Sequence, residues 1–267
     1  MELGMIGYGN MGSAIIKGLV HQGCLKAEQI GVYDPGEEAA KQAKALGLKL
    51  FSSLEDLVVD CPVLMLAVKP NRAGEILRNI RKEEGLLVSL VAGLDTKTMK
   101  EETGGRLRVL RIMPNTPAMV GEGFFALSLD TDAREEERER LWGWLNLLGR
   151  AQWVEEKLFG AVTGLSGSGP AFGALFIEAM ADAGVHQGLS RELALSMAAQ
   201  TLLGTARQML DTGIKPAAIK DMVCSPGGTT IAGVYALEQR GFRCAVMEAV
   251  VSASQRAASM EEAGAKE

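Results

Sequence analysis

A short apolar run, Leu3–Ile6, leads directly into Gly7-Tyr8-Gly9-Asn10-Met11-Gly12, and Ser13–Val20 follows with apolar residues at helical spacing. A strand, glycines at G-x-G-x-x-G spacing and then a helix form the context of a dinucleotide-binding turn. Gly7 permits the tight turn, Gly9 lets backbone approach a pyrophosphate, and Gly12 lets the helix lie close on the strand. The helix N-terminus offers free N–H groups and partial positive charge to phosphates. Glycines so spaced also mark plain strand-to-helix turns, so a second test is needed. It is an acid roughly 20 residues on, at the end of the second strand, to bond the ribose hydroxyls. Gln29–Asp34 reads as that strand, with Asp34 at its end. Ile6, Gly7, Tyr8, Gly9, Asn10, Met11, Gly12 and Asp34 are therefore the expected cofactor contacts.

Through about residue 156 the pattern alternates strand and helix, which predicts a parallel sheet covered on both faces, an α/β doubly wound sheet of Rossmann type. Expected elements include a helix over Glu37–Ala45 stopped by Gly47, and a short strand over Lys49–Phe51. Ser52 or Ser53 then caps the next helix. Val63–Val68 is a continuous apolar run fit for a central strand. It ends in Lys69-Pro70, so Ala67, Val68, Lys69 and Pro70 fall on the ligand side of the sheet. After Leu86–Leu90, the small residues Ala92 and Gly93 leave room for a bound ring. Arg108–Met113 is another strand, followed by the rigid Pro114-Asn115-Thr116-Pro117, where Asn115 and Thr116 offer hydrogen bonds suited to a carboxamide. Phe124–Leu129 reads as an outer strand. A helix is expected from Thr131-Asp132 onward, with its charge run solvated, Trp142, Trp144, Leu145 and Leu148 buried, and Gly149 ending it. Ala151–Val154 is the last strand expected.

The chain has 267 residues and a formal charge of −5, a balance that argues against nucleic acid or an anionic membrane as partner. No apolar run reaches the roughly 18 residues of a membrane span. The N-terminus lacks the pattern of a signal peptide. Cys24, Cys61, Cys224 and Cys244 are far apart and form no C-x-x-C pair. They read as reduced thiols of a cytoplasmic protein, with no metal site. His21 and His186 are expected at helix ends.

From Lys157 onward no strand is expected, so residues 1–156 and 157–267 read as two domains, the second all-helical. In Thr163–Pro170, Ser168 is the expected N-cap of a new helix. That helix carries Phe172, Leu175, Phe176, Ile177 and Met180 and is apolar nearly all round, which suggests that a second subunit covers part of it. Its Glu178 and Asp182 are expected to partner another helix. Arg191–Asp211 and Pro216–Val223 follow as helices. Cys224-Ser225-Pro226-Gly227-Gly228-Thr229-Thr230 then precedes a helix over Ile231–Gln239. Glycines and threonines at a helix start make an anion site for a carboxylate or a phosphate, or else a well-capped turn.

Taken together, these stretches resemble the pyrroline-5-carboxylate reductase family from end to end. Lys220–Thr230 looks like its signature, and Ala67–Pro70, Met113–Pro117 and Leu165–Pro170 stand as that family has them. The resemblance implies hydride transfer from NADPH or NADH to the imine carbon of 1-pyrroline-5-carboxylate, giving L-proline. It implies that Ser225, Gly227, Gly228, Thr229 and Thr230 hold the substrate carboxylate, with Thr230 bonding the ring nitrogen as the catalytic polariser. Ala67–Pro70 and Ala92-Gly93 would line the nicotinamide, with Asn115 nearby. It also implies an all-α dimerisation domain, a homodimer and assembly into a ring of dimers. Asp34 would repel a 2′-phosphate, so NADH is expected to serve at least comparably. A hydroxyacid dehydrogenase is the nearest rival, but it needs a lysine that is missing between Lys157 and Lys215. A non-catalytic nucleotide sensor would have no reason to carry Lys69, Asn115 and Thr230 together.

Overall fold

The structure, a computed structural model, describes the backbone of residues 1–264 and side chains through residue 261. The end of the expected helical domain, beyond 264, lies outside the described residues. The chain forms two compact units. One is Met1–Ser168 with the segment from Val251 onward; the other is Gly169–Val250. Residues 157–168 and the end of the last helix thus pack with the sheet, although they are helical in character.

In the first unit, β1 (Leu3–Ile6), α1 (Asn10–His21), β2 (Ile30–Tyr33), α2 (Glu37–Ala45), β3 (Lys49–Leu50) and α3 (Leu54–Asp60) come first. Then follow β4 (Val63–Leu66), α4 (Pro70–Asn79), β5 (Leu86–Ser89), α5 (Thr96–Glu102) and β6 (Arg108–Met113). The unit continues with β7 (Gly123–Ser128), α6 (Glu135–Asn146), β8 (Gly149–Val154) and the single turn α7 (Phe159–Val162). The eight strands lie in the order β3-β2-β1-β4-β5-β6-β7-β8, which places the point of reversal between β1 and β4. Strands β1 to β6 run parallel. Alternation along each strand divides the apolar residues between two faces. Leu3, Met5, Val63, Met65, Val88 and Leu110 pack on one; Ile6, Leu64, Leu66, Leu87 and Val109 pack on the other. Ser53 caps α3, its hydroxyl accepting from Asp56 N–H at 3.1 Å.

Six expectations change. β7 runs antiparallel to β6, and β8 runs parallel to β7. The link from β6 to β7 holds only a 3-10 turn, Thr116–Val120, and without a crossover helix the chain has to return antiparallel. β7 is also not an outer strand, because β8 takes the edge. Thr131 and Asp132 do not start α6. Val109 donates its N–H to Asp132 Oδ1 at 2.8 Å, and its carbonyl accepts from the Thr131 hydroxyl at 2.5 Å, so the pair ties the loop to β6. On α6 the core side is Leu141 and Leu145, whereas Trp142 is 45% exposed and donates its indole N–H to the Ala151 carbonyl. Gly149 begins β8, and α6 ends at Asn146. Ser168 is not an N-cap: it has helical dihedrals, and its N–H reaches back to the Thr163 carbonyl across a π-turn over Thr163–Gly167.

The second unit contains α8 (Gly169–His186), α9 (Arg191–Thr212), α10 (Pro216–Val223) and α11 (Thr229–Gln239). The first part of α12 (Phe242–Gly264) completes it. Asp182 pairs with Arg191 at the head of α9, a helix-to-helix role. His21 and His186 close α1 and α8. Among the described residues of this unit only Ala181, Ala194 and Ala198 are buried. No helix among the described residues is long and apolar enough to cross a membrane.

Candidate functional site

The glycine turn after β1 is built as its spacing predicts. Gly7 has φ +90° and donates its N–H to the Tyr33 carbonyl at 2.9 Å. A Cβ on Gly7 would lie 2.6 Å from the Ala67 carbonyl oxygen, and one on Gly12 would lie 2.4 Å from the Gly7 oxygen. Any side chain at either position would push α1 or the β4 end away from β1. Gly9 differs: it is the N-cap of α1 in extended conformation, and nothing lies within 4 Å of its Cβ position. The first helical bond runs from Ser13 N–H to the Gly9 carbonyl. It leaves the N–H groups of Asn10, Met11 and Gly12 without a helical partner. This cradle fits a pyrophosphate, because a Cβ at Gly9 would fill it and the free donors face it.

Asp34 completes the turn. Its Oδ2 accepts from Tyr8 N–H at 2.6 Å and its Oδ1 from Gly36 N–H at 2.8 Å. A carboxylate has roughly four acceptor sites, so capacity remains for ribose hydroxyls. The Tyr8 ring is buried in the core and its hydroxyl has no partner among the described residues. Burial pushes that phenol above its usual range.

Ala67 extends β4 by donating its N–H to the Ile6 carbonyl at 2.8 Å, which brings Ala67 and Val68 against the Gly7 turn. Lys69 is exposed at the N-cap of α4, and Pro70 opens that helix. A cavity of about 320 Å³ lies between α4 and the loop after β5, with Pro70, Asn71, Ala92, Gly93, Thr98 and Met260 among its walls. Gly93 adopts φ +76°, and its Cβ position lies 3.6 Å from Met260 on α12. The Asn115 carboxamide is committed at both ends. It donates to the Ser166 carbonyl and hydroxyl at 3.2 Å, and accepts from Phe124 N–H at 2.8 Å. Sequence reading assigned no role to Arg111, which is buried on β6 with Glu156 and Glu261. The signal was there: a charge inside a strand covered on both faces has to be paired.

In the second unit, Ser225–Gly228 forms a turn closed by a bond from Gly228 N–H to the Ser225 carbonyl at 3.1 Å. Pro226 in second place and Gly227 at φ +67° in third follow the type II pattern. A Cβ on Gly228 would meet Ser225 Oγ at 2.2 Å, so a side chain there would displace the serine hydroxyl. Gly228 is the N-cap, and Thr229 and Thr230 are the first residues of α11. Their N–H groups face outward from the helix start, beside an apolar groove of about 450 Å³ walled by Gly227, Gly228, Ile231, Ala232 and Tyr235. A helix start of this kind offers N–H groups suited to an anion.

Comparison with known proteins bears on both units. Residues 156–260 match the family described as pyrroline-5-carboxylate reductase dimerisation, and residues 2–93 match NADP oxidoreductase coenzyme F420-dependent. The pyrroline-5-carboxylate reductase of Methanosarcina acetivorans is 41% identical over 96% of this chain and 96% of its own. That of Arabidopsis thaliana is 41% identical over 98% of this chain and 96% of its own. The crystal structure of Plasmodium falciparum pyrroline carboxylate reductase with NADP bound matches with a TM-score of 0.90 at 35% identity, covering 98% of each chain. Identity on this scale along the whole length makes the chain a member of the pyrroline-5-carboxylate reductase family.

Proposed function

We infer that this chain is an NAD(P)H-dependent pyrroline-5-carboxylate reductase. It reduces the imine carbon of 1-pyrroline-5-carboxylate to give L-proline. The observation that carries this reading is the full-length identity to relatives of that activity. NAD(P)H, when bound, supplies the hydride and leaves as NAD(P)⁺. The imine carbon gains that hydride, the C=N π pair moves onto nitrogen, and nitrogen keeps the proton that made the iminium electrophilic. No protein nucleophile is needed. The protein's task is to align the reacting carbons at roughly 3–3.5 Å and exclude water.

The site assignments follow. Ile6–Gly12 and Asp34 hold the dinucleotide, and Ala67–Pro70, Ala92 and Gly93 wall the nicotinamide. Asn115 shapes that wall through Ser166 and Phe124. Backbone N–H groups of Ser225, Gly227, Thr229 and Thr230 hold the substrate carboxylate at the turn that Gly228 closes, and the Thr230 hydroxyl bonds the ring nitrogen. Residues 1–156 act as the nucleotide domain and 157–267 as the substrate and dimerisation domain. The exposed apolar faces of α8 to α11 support a homodimer, assembled further into a ring of dimers. Free cysteines support a reducing, cytoplasmic setting.

The test is the fall in nicotinamide absorbance with purified protein and 1-pyrroline-5-carboxylate, run with NADPH and with NADH. Turnover with proline as product is expected. A folded protein that binds NAD(P)H but gives no turnover with either would sink the assignment.

A further inference from the structure

Arg111 is the largest fully buried side chain, 1% exposed. Alternation along β6 puts it on the same face as Val109. Its guanidinium stacks 4.5 Å from the Phe159 ring centroid. One arm donates to Glu156 Oε1 at 3.2 Å and the other to Glu261. The same Glu156 oxygen accepts from the Thr96 N–H at 2.9 Å and the Thr96 hydroxyl at 3.0 Å.

These partners bracket one loop. Thr96 is the first residue of α5, immediately after the loop that carries Ala92 and Gly93. On the other side Gly93 lies against Met260, the neighbour of Glu261. A single buried cation therefore holds both abutments of the loop. Stability is weak ground for such a cluster, because replacing a buried ion triad by well-packed apolar residues is often neutral or stabilising. What an apolar replacement could not do is fix the two abutments at defined distances.

We propose that Arg111 is a positioning residue for the reaction: through Glu156 and Glu261 it fixes the Ala92–Gly93 loop and hence the wall behind the nicotinamide. The proposal rests on the reading of that loop as the nicotinamide wall. The full-length protein is compared with Arg111→Met, Arg111→Lys, Glu156→Ala and Gly93→Ala. Readouts are kcat, KM for each substrate, and calorimetric affinity for ADP-ribose and its 2′-phosphate, which lack nicotinamide. Arg111→Met and Glu156→Ala are expected to lower kcat roughly 10- to 100-fold, the scale of a slightly misplaced reactant. Affinity for the nicotinamide-free fragments stays unchanged, and Arg111→Lys, which keeps the charge but not the fork, recovers only part of the loss. Glu156→Ala carries the test if Arg111→Met does not fold. Unchanged kcat in folded Glu156→Ala overturns the proposal, as does a parallel loss of fragment affinity. If Gly93→Ala impairs turnover while the Arg111 and Glu156 variants do not, only the role of Arg111 falls. If Gly93→Ala also leaves turnover and cofactor affinity untouched, the loop is not the nicotinamide wall and both readings fall.

Discussion

The sheet unit and the helical unit use similar apolar residues to opposite effect. In the first, both faces of the sheet are covered by helices of the same chain, and side chains such as Leu3, Ile15, Leu64 and Leu77 are wholly buried. In the second, Leu175, Met222, Tyr235 and Met247 are 64–68% exposed, and only three alanines are buried among the described residues. Apolar composition thus states how much surface has to be covered, not which chain covers it. The helical unit has the make-up of a domain core cut in half, as obligate dimers do.

The strongest way to break this contrast is Leu175→Arg. If the helical unit stood alone, a change at so exposed a site would stay within about 0.5 kcal/mol. If a second copy covers it, the buried, unpaired charge costs several kcal/mol, and sedimentation and circular dichroism should show loss of the oligomer and of helix. Thr230→Val asks whether the same unit can lose function without losing structure. It should lower kcat about 100- to 1,000-fold, on the scale of removing one donor from a reacting site, with the melting temperature unchanged. An equal loss of stability would make Thr230 a helix cap and nothing more.

Two further changes probe the self-sufficient unit. Arg108 and Glu137 form a two-pronged pair between β6 and α6, at 3.0 and 2.7 Å. Partial desolvation pushes the Glu137 carboxyl up, but the Arg108 guanidinium and the Arg134 N–H outweigh it and hold it below the usual range. Its contribution is therefore fully present above pH 4.5 and is lost as pH falls through the lowered value. Glu137→Gln should cost about 1.5–3 kcal/mol at neutral pH and flatten the acid limb of the denaturation curve below pH 4.5. An unchanged acid limb would remove this pair from the account of the core. The smallest effect is expected at Asp34. Asp34→Ser should shift the ratio of rates toward NADPH by about tenfold, or ~1.4 kcal/mol. The serine can still accept from one of the two N–H groups that Asp34 now satisfies. A ratio that does not move would mean that Asp34 serves only to brace Tyr8 and Gly36.

Much of the sheet unit was legible because its cues are local. The Leu3–Ile6 run, the Glu37–Ala45 helix and the Arg108–Met113 strand stand where periodicity and caps place them. In the helical unit Pro216–Val223 does too, since proline marks its start. What escaped depends on partners distant in sequence. The reversal at β7 follows from a missing crossover, not from the composition of β7. Thr131 and Asp132 look like a helix start but spend their side-chain oxygens on Val109. Trp142 has the apolar bulk of a core residue, but the helix turns it outward and gives the core to Leu141. Of the site, both glycine turns were readable as anion cradles, whereas the Arg111 cluster joins residues up to 150 positions apart.

That separation sets an order of events during synthesis. Arg111 and Glu261 are 150 residues apart, and a ribosome adds roughly 5–20 residues per second. Roughly 8–30 seconds therefore pass between the making of the cation and of its second anion. Glu156, 45 residues beyond Arg111, is made first, and for the rest of that interval it is the one anion of the pair available. The Arg111 cluster therefore closes only when the final helix supplies Glu261, although β6 itself emerges early.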